Sequence, residues 1–156
     1  MTQQPKDMPI VVVTTKKQLQ DLIKETMALY GPECDLNFID VSQVTDMSGL
    51  FSGSHFNGDI SRWNVSNVTN MSGMFRCASF NGDISRWNVS KVKNMSHMFY
   101  GNCSLPNISK WNMSGVEDIT CMFGNCAFVN LKFLESWDMS DSKKTKDMFK
   151  GYSEVY

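Results

Sequence analysis

The sequence predicts an α/β repeat solenoid: short parallel strands and short helices stacked behind an N-terminal helical cap. Three observations carry this. First, one phrase is written almost twice, as Ile60-Ser-Arg-Trp-Asn-Val-Ser-Asn-Val-Thr-Asn-Met-Ser-Gly-Met-Phe75 and as Ile84-Ser-Arg-Trp-Asn-Val-Ser-Lys-Val-Lys-Asn-Met-Ser-His-Met-Phe99. It returns more loosely at Ile108 to Phe123 and Leu134 to Phe149, and in part at Ile39 to Phe51. Second, the anchors fall in columns: Trp63, Trp87, Trp111 and Trp137, and Phe51, Phe75, Phe99, Phe123 and Phe149, 24 residues apart until a two-residue insertion before the last unit. Third, the apolar period changes inside each unit. Trp63 and Val65 alternate with polar residues, as in a strand with one buried face, whereas Val68, Met71, Met74 and Phe75 follow helical spacing. Such repeats bury a continuous core only by stacking on their neighbours.

Three segments follow in order. Residues 1–35 hold a polar tail and a capping helix. Thr15 and Gln18 are spaced as a capping box, in which the hydroxyl takes the Gln18 amide and the glutamine side chain reaches back. Leu19, Leu22, Ile23, Met27 and Tyr30 then form one apolar stripe, which Gly31-Pro32 ends. A stack of repeats exposes the apolar end of its first unit, so this helix reads as a lid; a partner-binding helix is the rival reading. Residues 36–149 hold four to five units of about 24 residues, joined by returns such as Phe80-Asn-Gly-Asp83. Residues 150–156, with Tyr152 and Tyr156, are expected to cover the last rung.

Composition sets limits on function. The chain has 156 residues, 42% of them hydrophobic, and a formal net charge of −1, which fits one domain and gives no electrostatic case for nucleic acid or an anionic membrane. There is no long apolar run to insert in a membrane, and Pro9-Ile-Val-Val-Val13 is too short for the apolar part of a signal peptide. As written, the chain is expected to stay in the cytoplasm or to have lost its targeting segment. Five irregularly spaced cysteines do not form the framework of a small secreted domain.

The pattern Ile60-x-x-Trp63-x-Val65-x-x-Val68-x-x-Met71-x-x-Met74-Phe75 resembles the BspA-like leucine-rich repeat, in the Trp-Asn-Val-Ser, Asn-Met-Ser and Met-Phe variant of bacterial surface proteins and lipoproteins. The resemblance covers about Asp35 to Phe149 and implies a leucine-rich-repeat-like, right-handed stack used for recognition, commonly adhesion at a cell surface or after secretion. The signal peptide, lipobox cysteine and wall anchor usual in that family do not occur in this sequence.

Stacking turns every position into a column. Three polar columns are expected to face outward: Arg62, Arg86 and Lys110, followed by Ser136; Asn64, Asn88 and Asn112, flanked by Asp40 and Asp138; and Ser66, Ser90 and Ser114, flanked by Ser42 and Ser140. Rungs about 4.8 Å apart would make these a flat face of donors and acceptors. One reading is a binding surface for a protein or a glycan. The other is a solvated face whose Asn and Ser ladders only hold the stack together. Cys103 and Cys126 are expected to share a column of small residues with Ser54 and Ala78, close enough to bridge. His97 and Cys121 share another, towards the helix side, with Gly49 and Gly73, which fits a permissive exposed position better than a Cys-His nucleophile pair. Sequons at Asn64, Asn67, Asn70, Asn88, Asn94, Asn102, Asn107 and Asn112 follow from the repeated words. No metal-ligand spacing, phosphate loop or nucleophile elbow occurs, so neither catalytic residues nor a cofactor are expected. Two functions remain. One is a non-enzymatic recognition module, monomeric or weakly self-associating; the other is a structural protein that assembles through the stack's face or ends.

Overall fold

The computed structural model describes residues 3–102, 104–126, 136–137 and 147–150. It opens with strand β1 (Val11–Val12), helix α1 (Lys16–Tyr30) and strand β2 (Ile39–Asp40), with β1 and β2 paired in parallel. α1 starts where its side chains close their own N-terminus. Thr15 Oγ1 accepts from the Gln18 N–H at 3.2 Å, and Gln18 Oε1 accepts from the Thr15 N–H at 3.2 Å. Gly31, at φ 91°, ends the helix and donates its N–H to Met27 O at 2.9 Å. The buried stripe is Leu19, Ile23 and Thr26, with Leu22, Met27 and Tyr30 half-buried beside the core. Lys16 fixes the helix to the first unit: its Nζ lies 2.6 Å from Ser48 Oγ and 3.6 Å from Asp46 Oδ2.

Beyond β2 the units lie on one another in register, and turns do the work expected of strands and helices. The parallel pairing is reduced to single bridges, Asp46 with Asn70, Asn70 with Asn94 and Asn94 with Asp118. With the further bridge of Asp35 to Asp59, the pairing falls on either side of the Trp63-x-Val65 segment expected to form the strand and not within it. Along the segment expected to be helical, backbone N–H groups alternate between two destinations. Those of Met47, Gly49, Phe51 and Gly53 donate to Asn70, Ser72, Met74 and Arg76 of the next unit at 2.8–2.9 Å. Those of Leu50, Ser52 and Ser54 close turns on Met47, Gly49 and Phe51 of their own unit at 3.0–3.3 Å. The alternation repeats from Met71 and again from Met95.

Left-handed backbone at two positions per unit explains why no helix continues. One column is Gly49, Gly73, His97 and Cys121 (φ 55–62°), the other Gly53, Cys77, Gly101 and Asn125 (φ 52–66°). Each such residue breaks a right-handed run, and from Gly49 to Cys121 each aims its N–H at the neighbouring unit, so the buried backbone is satisfied without regular structure.

Between these turns lies the core. The rings of Trp63, Trp87 and Trp111 stack with centroids 6.4 Å apart and planes within 6°. Phe51, Phe75, Phe99 and Phe123 stack at 5.6–6.0 Å. Each indole N–H reaches back one unit, from Trp63 to Leu36 O, Trp87 to Ile60 O and Trp111 to Ile84 O, at 2.9–3.2 Å. The backbone closes tightly at Gly58, where a Cβ would lie 1.9 Å from Cys34 O.

The column of small residues differs from the expected one. Ala78 and Asn102 occupy equivalent levels, donating their N–H groups to Phe75 O and Phe99 O at 3.1 and 2.9 Å. Asn102, one residue before Cys103, thus takes the place expected of that cysteine. Cys126 is buried, its Sγ 3.0 Å from Phe99 O. Cys103, Asp138, Ser140, Tyr152 and Tyr156 lie outside the described residues. Among the described residues no helix is long and apolar enough to cross a membrane, and no group of His, Cys, Asp and Glu is arranged to hold a metal.

Candidate functional site

The segment from Asp59 to Ser66 shows how each unit displays its polar side chains. Trp63 and Val65 point inward, 4% and 1% exposed, and the residues between them point out. Arg62, Asn64, Arg86, Asn88, Ser90, Lys110, Asn112 and Ser114 are exposed, and Ser66 is half-buried. The 24-residue repeat therefore brings the Arg/Lys, Asn and Ser columns onto one side of the stack. Ser136 adds a hydroxyl that donates to Ser109 O at 2.7 Å.

Within this face the amide column has an architectural task. Asn64 Oδ1 accepts from the Ser66 N–H at 3.2 Å and from the Ser66 hydroxyl at 2.7 Å. Asn88 accepts from Ser90 N–H, Asn112 from Ser114 N–H and Asp40 from Ser42 N–H at 2.9–3.1 Å. These are Asx turns, in which the short side chain replaces a backbone acceptor two residues on. The same turn recurs twice more per unit, for example at Asp59-x-Ser61 and at Asn70-x-Ser72. The amide oxygens thus hold corners. With Oδ1 engaged in the turn, the polar group left to each of the exposed Asn64, Asn88 and Asn112 side chains is the Nδ2 donor, in the column next to the exposed Arg62, Arg86 and Lys110.

A further column, absent from the expected face, tempers its charge. Asp35, Asp59 and Asp83 stand beside the arginines, with Asn107 at the next level. Arg62 Nη2 lies 3.8 Å from Asp35 Oδ2. Partial burial acts to raise the Asp59 pKa, but the Ser61 N–H, the Asn37 amide, the Ser61 hydroxyl and Arg62 together hold it below the usual carboxylate value. The Ser85 N–H and hydroxyl lower Asp83, with Arg86 assisting and partial burial and Asp59 opposing. Arg62 is therefore ion-paired with Asp35, Arg86 acts on Asp83 through its field alone, and the acids stop before Lys110. The signal for this column lay in the repeat itself, as an acidic residue three positions before each arginine.

His97 and Cys121 sit where Gly49 and Gly73 sit in the earlier units, on left-handed turns, and both are half-buried. The His97 ring lies 5.7 Å from that of Tyr100, which Arg76 covers at 5.5 Å. Cys34 lies deep under the cap, where burial pushes its thiol up to about 11 against the weaker lowering effect of its backbone hydrogen bond; Asp35 and Glu33 add to the rise. A thiol so protonated is a poor nucleophile near neutral pH.

These features define a protein of stacked repeats with a polar, donor-rich flank. The model of the family described as Mycoplasma protein of unknown function, DUF285, matches residues 17–133 and again 79–155, and the chain belongs to that family. No curated protein and no solved structure matches it.

Proposed function

We propose that the chain is a BspA-like recognition module: a short right-handed solenoid of leucine-rich-repeat type that binds a protein or glycan partner through the Arg/Lys, Asn and Ser columns and performs no chemistry. One observation supports this above the rest. A core that takes Trp63, Val65 and their equivalents from this segment leaves, on each of three successive units, an exposed cationic side chain and an exposed asparagine at matching places: Arg62 and Asn64, Arg86 and Asn88, Lys110 and Asn112. Repeat arrays bind through extended surfaces of this kind. A donor-rich face suits a partner that supplies acceptors, such as the hydroxyls and carboxylates of a glycan or the carbonyls and carboxylates of a protein. Adhesion is the setting that the BspA-like motif suggests.

The test is binding of the intact chain to immobilised glycans and extracellular proteins, with Arg62, Arg86 and Lys110 replaced together by alanine and Arg76→Ala, on another side, as control. The triple variant is expected to lose affinity and salt dependence while melting nearly as the parent does. Equal loss of binding from both variants, or parallel loss of binding and stability, would refute the assignment.

A further inference from the structure

Apolar exposure is concentrated at the N-terminal end. Among the described residues the exposed large apolar side chains are Ile10, Val11, Val12 and Leu29, at 66%, 36%, 53% and 58%. Three of the four are consecutive, on β1 and the residue before it. β1 is an edge. Its Val11 and Val13 N–H groups donate inward to Phe38 O and Asp40 O at 2.9 and 3.1 Å. Because N–H and C=O directions alternate along a strand, the main-chain groups of Ile10 and Val12 point away from β2. The next outward N–H, that of Thr14, is already taken by Gln18 Oε1 at 2.9 Å. Pro9, which has no N–H, falls on the inward alternation, where it leaves the outer edge intact.

We propose that this edge pairs with the same edge of a second copy, antiparallel across a two-fold axis through Val11. That register follows from the groups on offer. It sets Ile10 opposite Val12 of the second copy and Val12 opposite its Ile10, so that both outward N–H groups and both outward carbonyls of each chain are bonded. A shift by two residues centres the pairing on Val12 and brings Ile10 against Thr14, whose N–H is occupied. The same register places the two most exposed side chains of the strand, Ile10 and Val12, as direct cross-strand neighbours twice over. Four β-branched side chains then form one patch on the face that each copy alone leaves in water. The surface is self-complementary, as an isologous interface requires; Val12 pairs with Asp40 at the head of the Asn column, but the edge uses none of the Arg/Lys, Asn and Ser side chains of the following units, so the pair would display two copies of that face.

Sedimentation or light scattering of the intact chain over a concentration series tests this, with Val12→Lys as the variant and amide exchange as a second readout. The expected result is a mass that doubles with concentration, a Val12→Lys dissociation constant raised by about tenfold or more, and slowed exchange at Ile10 and Val12 in the dimer only. Val12 is exposed, so the variant's circular dichroism and melting should match the parent's. A strict monomer up to the solubility limit, a dimer indifferent to Val12→Lys, or exchange at Ile10 and Val12 that does not change with concentration would each overturn the proposal. None of these results bears on the binding face, whose own test is the triple alanine variant.

Discussion

In the cap, α1 closes its backbone within itself and finishes its N-terminus with its own Thr15 and Gln18, whereas in the stack every second N–H from Met47 to Gly53 is bonded to the following unit. The surfaces differ in the same way. The described units of the stack hide their large apolar side chains, and the cap carries Ile10, Val11, Val12 and Leu29 in the open. The lesson is that regular secondary structure and completeness are separate properties. The cap has the regular elements and an unfinished edge; the stack has almost none and leaves its backbone and core well satisfied.

The largest test of that contrast is Trp87→Ala. Trp87 packs between Trp63 and Trp111 and bonds Ile60 O at 3.2 Å, so its loss removes contacts from three units at once. Chemical denaturation should show a cost of about 3–5 kcal/mol, and near-neutral behaviour would mean that the tryptophans face outward. In the cap, Thr15→Ala removes the hydroxyl that takes the Gln18 N–H and should cost about 1 kcal/mol. It should fray α1 while leaving tryptophan emission unchanged; a change in emission would tie the cap's order to the stack's. Smaller still, His97→Gly relieves a non-glycine residue at φ 57° and is expected to stabilise by roughly 0.5–1 kcal/mol, with Gly49→Ala destabilising by a similar amount at the matching place in an earlier unit. Equal and opposite shifts in melting would establish that the column is read by conformation alone.

The smallest effect concerns acid. Asp46, Asp59 and Asp83 all titrate below the usual carboxylate value of 3.8: Asp46 because its bonds to the Ser48 N–H and hydroxyl, together with Lys16, outweigh partial burial, and the other two for the reasons given above. Carboxylates lowered in the folded state add stability that is fully present above their unfolded pKa and is lost as pH falls through the folded one. Stability should therefore be flat from neutrality to about pH 4 and decline below it. Asparagine in place of all three should keep the turns, since Asn70 and Asn94 make the same turn where Asp46 does, and should flatten the acid limb of the melting curve. An unchanged limb would place the acid sensitivity elsewhere.

Facing was easy to read from the sequence and hydrogen-bond partners were hard. The alternation around Trp63 and Val65 reports which side chains are hidden, because burial selects apolar residues directly, and the same holds for the α1 stripe and its Thr15 cap. The Met71-x-x-Met74-Phe75 spacing reports one buried side equally well, but a chain of turns produces it as readily as a helix. Only glycine marks a left-handed position in sequence. Gly49, Gly73, Gly53 and Gly101 carried that mark, and His97, Cys77, Cys121 and Asn125 concealed it. The polar face was legible as columns. Its charge pairing was not, because the partner of Arg62 is Asp35, a unit away in sequence and 3.8 Å away in space.

The forward-pointing amides of each unit have a bearing on how such a chain lengthens. Met71, Gly73, Phe75 and Cys77 offer N–H groups to the unit that follows, as Met47, Gly49, Phe51 and Gly53 do one step earlier and Met95, His97, Phe99 and Gly101 one step later. Both sides of a middle unit thus carry the same plug and socket. A gene segment covering residues 60–83 can be copied in place, and the new unit meets on each side the partners that its parent had. Length becomes a heritable variable that changes the extent of the displayed columns without redesigning a single contact.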